Sequence, residues 1–246
     1  MRSARLTTPR RPAVVLVAHG SRDPRAAAST SSLARAVQRA RPDWTVRASY
    51  LDHAGPRPLD VLAALPGPRA VLVPLLLTAA YHGRVDLPAV IREAAALSIR
   101  VTATDVLGPA SPLLLGAVSR RLPRTGLDAV VLAAAGTRND AARQTVADAA
   151  VALGERLGLP SAVSYASGPG PRADEAVSGL RAAGARRVGM AAYFLAPGLL
   201  YDASVDAARS AGAVAVAEPL GDALELVRLI GARVDPILAG PLANAA

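Results

Sequence analysis

Histidine is the side chain of this 246-residue sequence best suited to chemistry at neutral pH, and all three histidines lie in its first half. His19 follows an apolar run at residues 13–17, and His82 follows a second apolar run at residues 71–77. A neutral imidazole binds ions such as Fe²⁺, Co²⁺, Ni²⁺ and Zn²⁺, and it accepts a proton near neutrality. Two imidazoles with open coordination positions hold a divalent ion without trapping it, so this pair predicts metal delivery rather than storage.

The segment around His19 predicts a strand, a tight turn and a helix in direct succession. Residues 13–17 suit a parallel strand that is buried on both faces. Gly20 permits the tight turn, and Asp23 with Pro24 forms a good helix start. Ligands bind at the carboxyl ends of strands in open α/β sheets, so we expect His19 to face a ligand crevice.

Asp52 and His53 follow the second predicted strand, residues 45–50. The Asp52 carboxylate is a candidate proton acceptor at the same edge of the sheet. For His53 the sequence favours a solvated loop residue, because the turn pair Gly55-Pro56 follows it closely.

The remaining pattern of the first half alternates strands with helices. This order is typical of a parallel sheet with helices on both faces, here flavodoxin-like with strand order 2-1-3-4. The strands before His19 and His82 are neighbours in that order, so both imidazoles are expected at one crevice. His82 is predicted to lie on a polar turn, together with Arg84 and Asp86. Further strands are predicted at 71–77 and 101–105, and helices at 26–41, 59–65, 88–97 and 111–121.

The second half of the chain repeats the first. AVVLVAHGSRDPRAA at residues 13–27 corresponds to AVVLAAAGTRNDAAR at residues 129–143, and Ser49-Tyr50 corresponds to Ser164-Tyr165. Two further equivalences bear on chemistry, because Ala135 stands where the first half has His19, and Leu199-Leu200 stand opposite His82. We therefore predict two tandem, similar βαβ domains: a disordered tail at 1–12, an active half at 13–124 and a degenerate structural repeat at 127–238.

Composition narrows the possible partners. The net charge is +9, and all 28 basic residues are arginines, which favours an acidic partner such as a polycarboxylate small molecule. The arginines are scattered and the aromatic content is only 3%, which disfavours nucleic acid. The chain has no cysteine, so any metal must use nitrogen and oxygen ligands. No apolar run approaches the roughly twenty residues that span a bilayer, and we expect a cytoplasmic protein without a membrane partner.

Three motifs of the first half resemble one enzyme family. AHGSRDPR, YLD before a Gly-Pro turn, and VPLLLTAAYHGRVDLP are similar to the class II tetrapyrrole chelatases, specifically the sirohydrochlorin cobaltochelatases and ferrochelatases in their long, internally duplicated form. The resemblance implies a chelatase-like fold and insertion of Co²⁺ or Fe²⁺ into sirohydrochlorin, in cobalamin or sirohaem biosynthesis. It implies that His19 and His82 bind the metal and remove pyrrole protons. Asp52 stands where the family usually has Glu.

The same resemblance defines the expected ligands. The metal is a substrate, Ni²⁺ being a further option, and no permanently bound cofactor is expected. Sirohydrochlorin is a polycarboxylate tetrapyrrole, which arginines can orient through bidentate pairs. The expected substrate contacts are Ser21, Arg22, Arg25 and Arg84. The fused halves supply within one chain the interface that short family members obtain by pairing, so a monomer is expected.

Two other functions remain open at the level of sequence. A metal or tetrapyrrole carrier without catalytic activity would use the same scaffold and the same imidazoles. A histidine phosphatase also places His near a strand end, but such enzymes have Arg before the His-Gly pair, whereas Ala18 precedes His19 here. A dinucleotide-binding role is disfavoured, because the first turn lacks the G-x-G-x-x-G spacing.

Overall fold

The computed structural model describes residues 11–78, 81–123 and 126–240, with the backbone alone for residues 81–86. Most of the predicted tail, residues 1–10, therefore lies outside the described residues. The first half contains β1 (Ala13–Ala18), α1 (Pro24–Ala40), β2 (Thr45–Tyr50), α2 (Pro58–Ala63), β3 (Arg69–Pro74), α3 (Tyr81–Ala94), β4 (Arg100–Ala103) and α4 (Pro112–Arg121). The second contains β5 (Ala129–Ala134), α5 (Asp140–Leu157), β6 (Ser161–Tyr165), α6 (Ala173–Ala182), β7 (Val188–Tyr193), α7 (Leu199–Ser210), β8 (Ala215–Val216) and α8 (Leu224–Ala239).

Each half forms a four-stranded parallel sheet with the predicted strand order. The orders are β2-β1-β3-β4 and β6-β5-β7-β8. Ala18 at the end of β1 pairs with Tyr50 of β2, and Val17 pairs with Pro74 of β3, so three strands end at the same edge. The two tandem α/β domains predicted from the sequence are confirmed.

The central strands form because their residues are apolar on both faces. Residues 14–17 of β1 are at most 1% exposed, and residues 129–133 of β5 are fully buried, as expected for parallel strands covered by helices. The predicted start of α1 is also confirmed. Asp23 is its N-cap, the Asp23 carboxylate accepts the backbone N–H of Arg25 at 2.9 Å, and Pro24 follows at the first helical position.

The third strand and the helix after it differ from the prediction. β3 ends at Pro74 rather than at residue 77, because the Leu76 N–H donates to the Pro74 carbonyl instead of a neighbouring strand. α3 begins at Tyr81, and Pro88, predicted to start the helix, lies inside it. A proline removes one backbone hydrogen bond of a helix but leaves the others, and α3 continues through Pro88. The backbone of His82 and Arg84 is therefore helical, and the predicted polar turn is wrong.

The two halves exchange their last helices. α8 of the second half packs against α1, β3 and α4 of the first, whereas α4 packs against α5 and β7. Two ion pairs reinforce this exchange: Arg120 binds Glu225 at 2.5 Å, and Arg41 binds Asp235 at 2.5 Å. A single apolar cluster includes buried residues of both sheets and of α8, so the halves share one core. Within the described ranges, no helix is long and apolar enough to cross a bilayer.

Candidate functional site

The strand ends of both sheets meet at a cleft between the halves. One part, which we call the leucine cavity, has a volume of about 270 Å³ and an apolar wall. Its lining includes His19, Leu75, Leu76, Leu77, Ala135, Tyr193, Phe194 and Leu195. The adjoining part, which we call the histidine depression, has a volume of about 570 Å³. Its lining includes His19, Ser21, Arg22, His53, Ala135, Phe194, Leu199 and Leu200. His19 lies where the two parts meet.

A hydrogen bond between the halves closes one side of the leucine cavity. The Tyr193 hydroxyl, at the end of β7, donates to the backbone carbonyl of Leu77 at 3.3 Å. Burial raises the pKa of this hydroxyl well above its ordinary value. The group therefore stays protonated at neutral pH and remains a donor.

The backbone around His19 is held by the loop after β2. The Leu51 N–H donates to the Ala18 carbonyl at 2.9 Å, and the Asp52 N–H donates to the His19 carbonyl at 2.8 Å. Gly20 has φ +99°, and a Cβ at this position would overlap the Asp52 carbonyl oxygen. Only glycine lets the two loops approach this closely, so Gly20 sets the position of His19.

Gly20→Ala is expected to destabilise the protein by more than about 1 kcal/mol, because alanine is strained at this φ and its methyl group overlaps a backbone oxygen. Gly136→Ala is expected to destabilise the protein by a similar amount. Gly136 has φ +92°, and a Cβ there would overlap the Ser167 carbonyl oxygen in the same way. Urea unfolding of both variants measures the effect, and a wild-type midpoint for Gly20→Ala would contradict the close approach.

Ser21 and Arg22 lie on the turn after His19 and line the histidine depression, and their role as substrate contacts stays a prediction. The Ser21 Oγ accepts the Asp23 N–H at 3.1 Å, which leaves its own proton for a ligand. Arg22 is exposed, and within the part of the chain that the structure describes no carboxylate pairs with it. Its guanidinium is therefore available to an acidic ligand.

Arg25 has a different position from the one predicted. Its guanidinium binds Asp23 at 2.5 Å and Asp202 of α7 at 2.5 Å, which links the two halves. These hydrogen bonds, first the one to Asp23, raise the pKa of Arg25. The side chain lines a separate surface hollow with Ser29, Arg121 and Tyr201 rather than either part of the cleft. The sequence pattern identified the turn correctly, but it contained no signal for a partner 177 residues away.

Asp52 points towards His53 rather than into the cleft. Its Oδ1 accepts the backbone N–H of His53 at 2.8 Å, and its Oδ2 lies 3.5 Å from His53 Nε2. Arg57 contributes a longer contact of 3.7 Å to Oδ1. The pKa of the Asp52 carboxyl is lowered, mainly by the His53 N–H. Asp52 is thus an ionised carboxylate at neutral pH.

His53 lies beside His19, in the loop that follows β2. Its ring lies edge-on to that of His19, with centroids 6.2 Å apart and an angle of 89° between the planes. The sequence contained a signal for this contact, because His53 follows β2 and His19 follows β1. Neighbouring parallel strands end at the same edge of the sheet, which brings the two loops together. Two turn residues after His53 suggested a solvated loop, and its side chain is indeed 36% exposed.

His82 and Arg84 lie in the first turns of α3, and their side chains lie outside the described residues. The predicted pairing of His19 with His82 therefore stays a prediction. Among side chains that are described, no group of three or more His, Asp or Glu is arranged to hold a metal ion.

Comparison with known proteins identifies both halves. The model of the CbiX family matches residues 13–125, and it matches again at residues 129–237. The chain belongs to the CbiX family. The internal duplication predicted from the sequence is thereby confirmed, with two CbiX copies in tandem.

Solved structures of similar length share this fold. SirB from Bacillus subtilis, in a structure with Fe³⁺, is 20% identical, and the match covers 93% of this chain and 96% of that one with a TM-score of 0.75. The sirohydrochlorin chelatase SirB from Bacillus subtilis subspecies spizizenii, in complex with cobalt, is 21% identical over 94% and 97% of the two chains, with a TM-score of 0.74. A CbiX described as the terminal enzyme of sirohaem biosynthesis in denitrifying bacteria is 19% identical over 91% and 98%, with a TM-score of 0.64. Among curated proteins no match was found.

The second CbiX copy keeps the backbone of the site without its imidazoles. Ser167 takes the place of Asp52, since its N–H donates to the Ala135 carbonyl at 3.0 Å. Gly168, with φ +75°, takes the place of His53. Leu199, which is 83% exposed, begins α7 beside the histidine depression. One wall of the cleft therefore carries imidazoles, whereas the facing wall is apolar.

Proposed function

We propose that this CbiX protein is a metal chelatase that inserts a divalent ion, Co²⁺ or Fe²⁺, into sirohydrochlorin. The observation that carries the proposal is the cleft between the two copies, where His19 and His53 face Phe194, Leu199 and Leu200. A flat macrocycle with apolar faces and an acidic rim fits a cleft with apolar walls and a basic turn. Membership of the CbiX family supports this function, as do the folds of SirB and CbiX.

Metal insertion sets two tasks for the residues of the first copy: to remove protons and to bind the ion. Metal insertion must remove two protons from pyrrole nitrogens, and a neutral imidazole both accepts a proton and binds a borderline metal ion. We assign these tasks to His19 and His82, as the sequence predicts. The ion is a substrate that passes through the site, so an open set of ligands suits it better than a closed one.

Anaerobic incubation of the purified protein with sirohydrochlorin and Co²⁺, Fe²⁺ or Ni²⁺ in turn tests the function. A chelatase accelerates the absorbance change of insertion far above the rate without protein. A carrier binds the same ligands without acceleration, and this outcome would contradict the proposal. Hydrolysis of p-nitrophenyl phosphate that is lost in His19→Ala would favour the histidine phosphatase instead.

Arg22 is expected to bind the acidic rim of the substrate, whereas Arg25 is expected to hold the halves together. Arg22→Ala should weaken sirohydrochlorin binding about threefold to fivefold, as for one exposed ion pair, and should reduce its dependence on salt. Fluorescence titration at two salt concentrations measures both effects.

Two arginines serve as matched controls for Arg22→Ala. Arg138 is exposed and occupies the equivalent position in the second copy, so Arg138→Ala should leave affinity unchanged. Arg25→Ala should lower the melting temperature slightly without changing affinity, since its guanidinium is bound to two carboxylates. Equal losses of affinity in all three variants would mean that net charge alone attracts the substrate.

Three predictions extend this proposal to the whole chain. Residues 13–124 form the active half, and residues 127–238 form a structural half that completes the cleft. The shared core and the exchanged helices favour a monomer, because each copy already has its partner within the chain. The cytoplasmic location stays a prediction.

A further inference from the structure

The backbone of His53 has an unusual conformation. His53 has φ +58°, and among the described residues it is the one residue other than glycine with a positive φ. The equivalent residue of the second copy is Gly168, the residue type that adopts this conformation without strain. Strained residues of this kind cluster at functional sites, where the side chain has a task that glycine cannot perform.

The position of the His53 side chain indicates what that task is. Its ring centroid lies 6.2 Å from that of His19, and both rings line the histidine depression. With metal–nitrogen bonds of about 2.1 Å, two imidazoles on one ion have centroids about 5 to 6.5 Å apart. The observed separation lies within this range, so the two rings are placed to share an ion.

Asp52 orients the His53 ring for this role. The carboxylate lies 3.5 Å from His53 Nε2, and it also accepts the His53 backbone N–H. A carboxylate at one ring nitrogen favours the tautomer that carries its proton there, which leaves the lone pair of the other nitrogen for a metal ion. Asp52 lines neither part of the cleft, whereas His53 lines one of them.

We propose that His19 and His53 form a two-imidazole site that takes up the divalent metal ion from solution, with Asp52 as the positioning residue of His53. The remaining coordination positions hold water, so the ion exchanges readily. His53 is thus a ligand for uptake of the ion, and His19 is shared between uptake and insertion. This inference rests on the proposed function, because the ion that His19 and His53 take up is the ion that the chelatase inserts.

Co²⁺ binding by the tag-free protein without tetrapyrrole tests the site, with calorimetry and the visible absorbance of Co²⁺ as readouts. His53→Gly reproduces the residue of the second copy, and His53→Asn is a second variant that tolerates the left-handed conformation. Both variants are expected to fold with a melting temperature equal to or above that of the wild type. Their dissociation constant for Co²⁺ should rise about tenfold or more, and Asp52→Asn should give a smaller rise.

Insertion kinetics separate uptake from a merely structural role. In His53→Gly the KM for Co²⁺ should rise by the same factor as the dissociation constant, while kcat at saturating metal stays close to that of the wild type. A protein that inserts metal normally, but whose Co²⁺ affinity is unchanged in both His53 variants, would overturn this inference and leave the proposed function intact. A protein that loses Co²⁺ affinity in these variants, but never accelerates insertion, would overturn the proposed function instead.

Discussion

Replacing His19 with alanine is expected to lower the rate of Co²⁺ insertion into sirohydrochlorin by about a hundredfold or more, the range that removal of a general base produces. His19 lies where the leucine cavity meets the histidine depression, so it reaches a ligand in either part. The initial rate of the absorbance change, at saturating metal and tetrapyrrole, measures the loss. We expect a loss of the same order for His82→Ala.

The fold itself provides the control for this variant. Ala135 occupies the equivalent position in the second CbiX copy, where the same turn forms with an alanine. His19→Ala should therefore keep the circular dichroism and melting temperature of the wild type. Near-normal turnover of a folded His19→Ala protein at saturating metal would remove His19 from the mechanism.

Leu226→Ala is expected to lower the free energy of unfolding by about 2–5 kcal/mol, as for other fully buried leucines. Leu226 is 0% exposed on α8, the helix of the second copy that packs against α1, β3 and α4 of the first. Because the apolar cluster includes residues of both copies, the loss should affect the whole protein. Urea unfolding, followed by circular dichroism, should show one transition at a lower midpoint.

Leu224→Ala is the matched control on the same helix. Leu224 is 53% exposed, so the same substitution should change the free energy of unfolding by no more than about 0.5 kcal/mol. Two separate transitions in Leu226→Ala, with one unchanged from the wild type, would contradict a core shared between the copies.

The sequence by itself determined the fold class and the duplication. Apolar residues at 13–17 and again at 129–133 suit strands that are buried on both faces. A strand with one face in solvent would alternate apolar and polar residues, whereas a strand covered by helices on both faces is apolar throughout. Short connections and right-handed crossovers then predicted the strand order. His19 was placed correctly because its position depends on local features alone: a strand before it, a glycine after it and a helix cap three residues beyond Gly20.

Local patterns failed where the outcome depended on long-range packing. The start of α3 was wrong because a proline is a strong signal for a helix start, yet packing can retain a helix that contains one. Arg25 was assigned to the substrate because its turn faces the ligand edge, whereas Asp202 of the other copy binds its guanidinium. Neither outcome is encoded within a few residues of the position concerned.

The tertiary structure alone decided which side chains meet at the cleft. His19 and His53 are far apart in sequence, and they meet because β1 and β2 are neighbours with Ala18 opposite Tyr50. The apolar wall that faces them comes from Phe194, directly after β7, and from Leu199 and Leu200 at the start of α7. Residue type and periodicity describe one element at a time, but a cleft between two copies depends on how buried surfaces from distant segments pack together.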